Sequence, residues 1–178
     1  MKPSDEGSPN KCPKLWLWRR IKRPRWEGKN PDSSDDVNVA AGDFALRPVD
    51  DYLSFFEVAD QDEGCRVAAA YRVCSNERPQ NIDFMLLLRQ SLLEHGIELD
   101  HKPDEGLPEF LSSRHLGTRG PRHKPDKEFI MQLLSSNVKI IKRLSIEEIV
   151  QIARTLMDEV PSIRDHVGEK WRSKLSDQ

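Results

Sequence analysis

A chain of 178 residues, 37% hydrophobic and 33% charged, is long enough to close one domain around an adequate core without disulfide or metal staples. Its mean hydropathy is -0.69 and its longest apolar run is "FMLLL", far short of a membrane span. The formal net charge of -2 is unevenly placed: residues 1–31 carry nine Lys/Arg and three Asp/Glu, a net of +6, and residues 32–178 carry nineteen and twenty-seven, a net of -8. A basic arm on an acidic body suits an anionic partner, or the body itself.

Residues 1–13 hold three prolines, a glycine and two serines, with no large apolar residue before Leu15, a composition expected to be disordered. "KLWLWRRIKRPRW" follows, Lys14 to Trp26, with three of the four tryptophans, six basic residues and no acid. "NPDSSDD" then reads as a linker. These features place a flexible basic arm over 1–43 and a compact domain over 44–178. Within the domain, "DYLSFFEV" predicts a strand at 51–58. Asp60, with Glu63 three residues on, predicts the start of a helix whose stripe is Val67, Ala70, Tyr71 and Cys74.

"NIDFMLLLRQSLLEHG" reads as a strand followed by a short helix, with a single helix from Asp83 to His95 as the alternative. "IELDHK" alternates weakly, as a strand does. Residues 103–126 hold four prolines and three glycines and read as a long loop with one turn near Glu109–Ser112. "DKEFIMQLLSSN" is helical, with Pro125 suited to its first position; "VKIIKRL" alternates as a strand. Ser145 and Glu148 form a capping box opening "IEEIVQIARTLMDEV". Pro161 ends that helix, and Ser162 opens another whose stripe is Ile163, Val167 and Trp171. The order predicts a single small α/β or α+β domain with a mixed sheet and a helical C-terminus.

No catalytic signature emerges. The five histidines form neither HxH nor HExxH, and no three or four ligands share the spacing of a zinc site, so no metal or other cofactor is expected. No GxSxG is present, and Ser112–Ser113 stand near His115 in sequence only. A small enzyme with His115 or His123 in its site stays open as the third reading. "GTRG" lacks the Walker spacing. From Phe110 to Pro125, however, no acid occurs, while Arg114, His115, Arg119, Arg122, His123 and Lys124 crowd together as a candidate anion-binding loop, or as a solvated loop balancing the acidic body.

The N-terminal aromatics and cations Trp16, Trp18, Arg19, Arg20, Arg23 and Trp26 are the candidate partner-binding residues. Trp and Arg are enriched at protein interfaces, and "LWLWRRI" could also add a strand to a sheet, its own or a partner's. The same mixture suits single-stranded nucleic acid, where rings stack on bases and charge follows the backbone. A membrane anchor fits poorly between Pro13 and Pro24. The leading expectation is a non-enzymatic accessory protein docking on a protein partner through the arm. The alternative is a nucleic-acid-binding protein using the arm and the 114–124 loop.

"WRRI" followed by "FALRPVDDYLSFF" and an alanine-rich helix resembles small bacterial proteins of uncharacterised type. The likeness covers Trp18 to Val58 and implies a bacterial, intracellular accessory component without carrying over any site residue. Three cysteines, Cys12, Cys65 and Cys74, with no CxxC, fit a reducing compartment, and "MKPSDEGSPNK" lacks the apolar core of a secretory signal, so a cytoplasmic location is expected.

Overall fold

In "LWLWRRI" large apolar side chains stand at successive positions, which a strand splits between its two faces. The computed structural model describes residues 15–46, 51–119, 125–136 and 139–176. There the stretch is β1, Trp16–Arg20, an inner strand. It pairs antiparallel with β2, Ser54–Val58, on one side and with β3, Ile82–Leu88, on the other. Beyond β2 lie β5, His115–Arg119, and then β4, Glu98–His101; beyond β3 lies β6, Lys139–Leu144. Among the described residues the strand order is β4-β5-β2-β1-β3-β6, and every neighbouring pair is antiparallel.

The domain is therefore a small α+β fold. The expected mixed sheet is corrected to an antiparallel one, for a reason that β1 supplies. The β2–helix–β3 crossover does return a strand parallel to the first, but β1 occupies the place between them and pairs antiparallel with both.

The sheet is buried on both faces. Trp18, Phe56, Val58, Phe84 and Leu86 point into one core with α2 (Gln61–Cys74), α4 (Glu109–Ser112), α6 (Ile146–Glu159), α7 (Ile163–His166) and α8 (Glu169–Ser176). Leu17, Ile21, Phe55, Met85 and Leu87 point into the other with α1 (Ser34–Ala41), α3 (Arg89–Glu94) and α5 (Lys127–Ser135). The register explains the sorting: Trp18 faces Phe56 and Leu86, whereas Leu17 faces Glu57 and Leu87.

Local signals were kept at the helix starts. Asp60 accepts from the Glu63 backbone N–H, and Ser145 and Glu148 form the full capping box. The 82–94 stretch is a strand followed by a short helix. Three local readings change. "NPDSSDD" runs into α1, because Ser33 caps it by accepting from the Asp36 N–H and Val37 and Ala40 bury one side. The His115–Arg119 part of the expected loop is β5. The C-terminal helix breaks at Val167–Gly168, where the Gly168 N–H donates to the Val73 carbonyl and its Cα lies too close to Ser75 for a side chain. Ile163, Val167 and Trp171 still bury together.

Candidate partner-binding site

The three N-terminal tryptophans lie against the domain's cores. Trp18 is 2% exposed and packs among Phe56, Tyr71 and Phe84; Trp16 is half-buried against the same cluster. Trp26 is buried against Phe44, and its indole N–H donates to Asp43 Oδ2 at 2.8 Å. The rings of Trp18 and Trp26 are not offered to bases or to a partner surface, so the structure brings these two of the three predicted aromatics into the core. The cations stay nearer the surface but are tied down. Arg19 donates to the carbonyls of Asp43 and Ser54 and lies 5.2 Å from the ring centroids of both Phe44 and Phe55. Arg20 makes a two-pronged bond to Glu77, at 2.6 and 3.0 Å. Arg23 pairs with Glu27 and Arg25 with Asp43.

Asp43 is the organising residue that sequence reasoning missed. Its side chain is 6% exposed and accepts from the Arg25 guanidinium, the Trp26 indole and the Lys22 backbone N–H. Its own carbonyl takes two bonds from Arg19. A buried carboxylate is tolerable when its oxygens are satisfied this fully. A second shared acid is Glu77, held between Arg20 and the fully buried Arg72. Its carboxyl pKa is lowered to about 2, chiefly by the bond from Arg20, with burial opposing and Arg72 assisting.

Between residues 20–25 and 80–83 a surface cleft of about 490 Å³ opens, floored by Ile21 and Ile82 and edged by Arg20, Lys22, Arg25 and Asp83. Lys22 is exposed, and its ammonium makes no ion pair among the described residues. Asp83 is held by Arg143 at 2.7 and 3.0 Å. The cleft thus presents one free ammonium beside guanidinium groups whose orientation is fixed by acids.

The second predicted cluster separates. Arg114 donates to Glu63 Oε1 and to the Phe110 carbonyl, and its guanidinium lies 4.3 Å from the Phe110 ring centroid. Arg119 bonds Glu98 directly across the β4–β5 pair and reaches Asp100. His115 points inward, 5% exposed and stacked on Phe56. Burial pushes its pKa below 6.5, and its Nδ1 has no hydrogen-bond partner among the described residues. Arg122, His123 and Lys124 lie outside the described residues. The three described members of the predicted anion loop are therefore committed to carboxylates or to the core: Arg114 precedes β5 and turns to Glu63, His115 sits over Phe56, and Arg119, on the same face at the far end of the strand, meets Glu98.

Among the described residues no group of three His, Cys, Asp or Glu side chains could hold a metal ion, and no helix is long and apolar enough to cross a membrane. Cys65 and Cys74 are both free thiols; burial alone pushes Cys74 to about 12, far from a reactive thiolate. Comparison of the chain with protein-family models, curated proteins and solved structures gives no match.

Proposed function

We propose that this is a non-enzymatic binding protein that engages a protein partner through the surface built by its N-terminal segment. The observation that carries the reading is the 490 Å³ cleft whose rim holds Lys22 free among guanidinium groups already oriented by Asp43 and Glu77. Cations held in place lose little side-chain entropy on binding, which favours a partner segment carrying carboxylates. Nucleic acid is the weaker alternative. The segment's guanidinium groups are paired with acids or carbonyls, so a phosphate would have to displace existing bonds, and Trp18 and Trp26 are not free to stack. A cytoplasmic, bacterial setting belongs to the same proposal, supported by two free thiols and by the resemblance of the Trp18–Val58 stretch.

The test is capture of partners by the tagged full chain, with and without nuclease. Lys22→Glu, at an exposed side chain with no ion pair among the described residues, should abolish recovery of a stoichiometric protein. Arg172→Glu, on the exposed side of α8, should leave it intact. Release of the captured material by nuclease would move the reading to nucleic acid, and equal recovery by both variants would remove the cleft from it.

A further inference from the structure

The two outer strands of the sheet differ in length and charge. β4 has four residues, and its acids Glu98 and Asp100 both meet Arg119 of β5. β6 has six residues, of which Lys139, Lys142 and Arg143 are cations and none is an acid. One bond on the far side of β3 fixes which backbone groups of β6 face outward. The Ile21 N–H donates to the Asp83 carbonyl, so Asp83 turns its polar groups toward β1. Successive residues of an inner antiparallel strand bond to opposite neighbours, so Ile82, Phe84 and Leu86 serve Leu144, Lys142 and Ile140 of β6. The N–H and C=O groups of Lys139, Ile141 and Arg143 therefore point away from the sheet. Among the described residues, those of Ile141 and Arg143 meet no other backbone.

Beside this edge lies a recess of about 420 Å³, walled by Lys142 and Leu144 of β6, Cys65 of α2, and Ile152 and Leu156 of α6. It shares no residue with the cleft at Lys22. Ile140, Lys142 and Leu144 stand on the face of β6 that turns to the recess, so alternate side chains of a neighbouring strand would stand on that face too. An added strand gains affinity from main-chain bonds and selectivity from pockets for alternate side chains, and both are present here. The charge decides between occupants. Lysines on an edge strand keep like edges apart. Two copies of β6 paired antiparallel about Ile141 would set Lys139 against Arg143, and the acids of β4 are already taken by Arg119. A strand that brings its own carboxylates meets no such opposition.

We infer that β6 accepts an extended acidic segment of a partner protein as a seventh strand, its apolar residues at the recess and its carboxylates among the cations of β6. This surface stands whether or not the cleft at Lys22 binds. The probe is a capped hexapeptide alternating Glu and Val, titrated into the isotope-labelled full chain by heteronuclear NMR. The Ile141 and Arg143 amide signals should shift, and the same peptide with Lys for Glu should bind at least about tenfold more weakly. Methylating either the valine or the glutamate amide nitrogens removes the donors along one edge of the peptide, and one of the two sets should cost at least about tenfold. Ile141→Pro removes an outward N–H and no bond to β3, a place where an edge strand tolerates proline, and should abolish binding. Should that variant not fold, the methylated peptides carry the same test. Lys142→Glu sets an acid among the cations and should narrow the gap between acidic and basic peptides by about tenfold; Arg172→Glu, on α8, should leave it unchanged. The inference is overturned by absence of binding at millimolar peptide, by binding that leaves the Ile141 and Arg143 amides unmoved, by equal affinity for the basic or for both methylated peptides, or by an unaltered gap in Lys142→Glu. A chain that is dimeric as wild type and monomeric as Ile141→Pro gives the edge to a second copy and overturns it as well.

Discussion

Two stretches of this chain, 14–26 and 110–125, look alike as sequence: each is rich in cations, lacks acid and invites an anion. Their fates differ in depth. The first becomes the inner strand β1, covered on both faces and paired on both edges. The second contributes β5, one place from the edge of the sheet, with His115 and Leu116 inward and Arg119 at the surface. Among the described residues, cations of both stretches meet acids distant in sequence: Glu77 for Arg20 and Asp43 for Arg25 in the first, Glu63 for Arg114 and Glu98 for Arg119 in the second. Cation density within a window therefore says little about a binding surface until the acids that fold over it are known.

The strongest way to break the comparison is to attack β1. Leu17→Asp places a charge at a fully buried position between two layers, and Trp18→Ala removes a ring packed among three others. Trp18→Ala is expected to destabilise by about 3–5 kcal/mol, and Leu17→Asp to abolish folding, both read by chemical denaturation and far-UV dichroism. A chain that melts normally after either change would show that β1 docks reversibly, as a separate arm would.

A smaller effect separates the two acids that hold the segments. Asp43→Ala strands the Arg25 guanidinium, the Trp26 indole and the Lys22 N–H and is expected to cost about 2–4 kcal/mol. Glu63→Ala frees Arg114 at a more exposed site and should cost about 1 kcal/mol. Denaturation midpoints of the two variants measure the difference; equal losses would erase the contrast in depth.

The smallest expected effect is a slope against pH at His115. Burial holds its folded pKa below 6.5, so the unfolded chain takes up the proton first as pH falls. The stability associated with the neutral ring is present above 6.5 and declines below it. Between pH 6.5 and 4.5, where glutamates begin to titrate, the wild type should lose stability more steeply than His115→Leu. Parallel curves would mean that His115 is solvated in solution. Glu77 adds its own decline below pH 4.5, as its shared carboxylate is protonated in the unfolded chain before the folded one.

Much of the architecture could be read locally. The capping box at Ser145 and Glu148, the cap at Asp60, the strand-then-helix over 82–94 and the buried stripe Ile163, Val167 and Trp171 depend on neighbours within four residues or on one apolar face, and each appears as expected. The site was hardly legible. Trp16, Trp18, Arg19, Arg20, Arg23 and Trp26 were singled out for their residue types, but whether a tryptophan beside arginines stacks on a partner or on Phe56 depends on residues 30 to 70 positions away. Asp43 gave no signal, being one acid among 30. β5 gave none either, because His115 and Gly117 on one face carry no apolar alternation.

What the sequence determined by itself was the set of elements whose stability is local: caps, helical stripes and apolar strand runs, and hence a single small domain with helices at its C-terminal end. What only the tertiary structure decided was where β1 goes. Strand alternation made "LWLWRRI" fit to pair, but pairing energy is collected only against a particular edge, and no local rule names the partner. Once β1 settles between β2 and β3, the parallel crossover becomes an antiparallel sheet, Trp18 and Trp26 become core, and the arginines become a fixed rim around the cleft at Lys22.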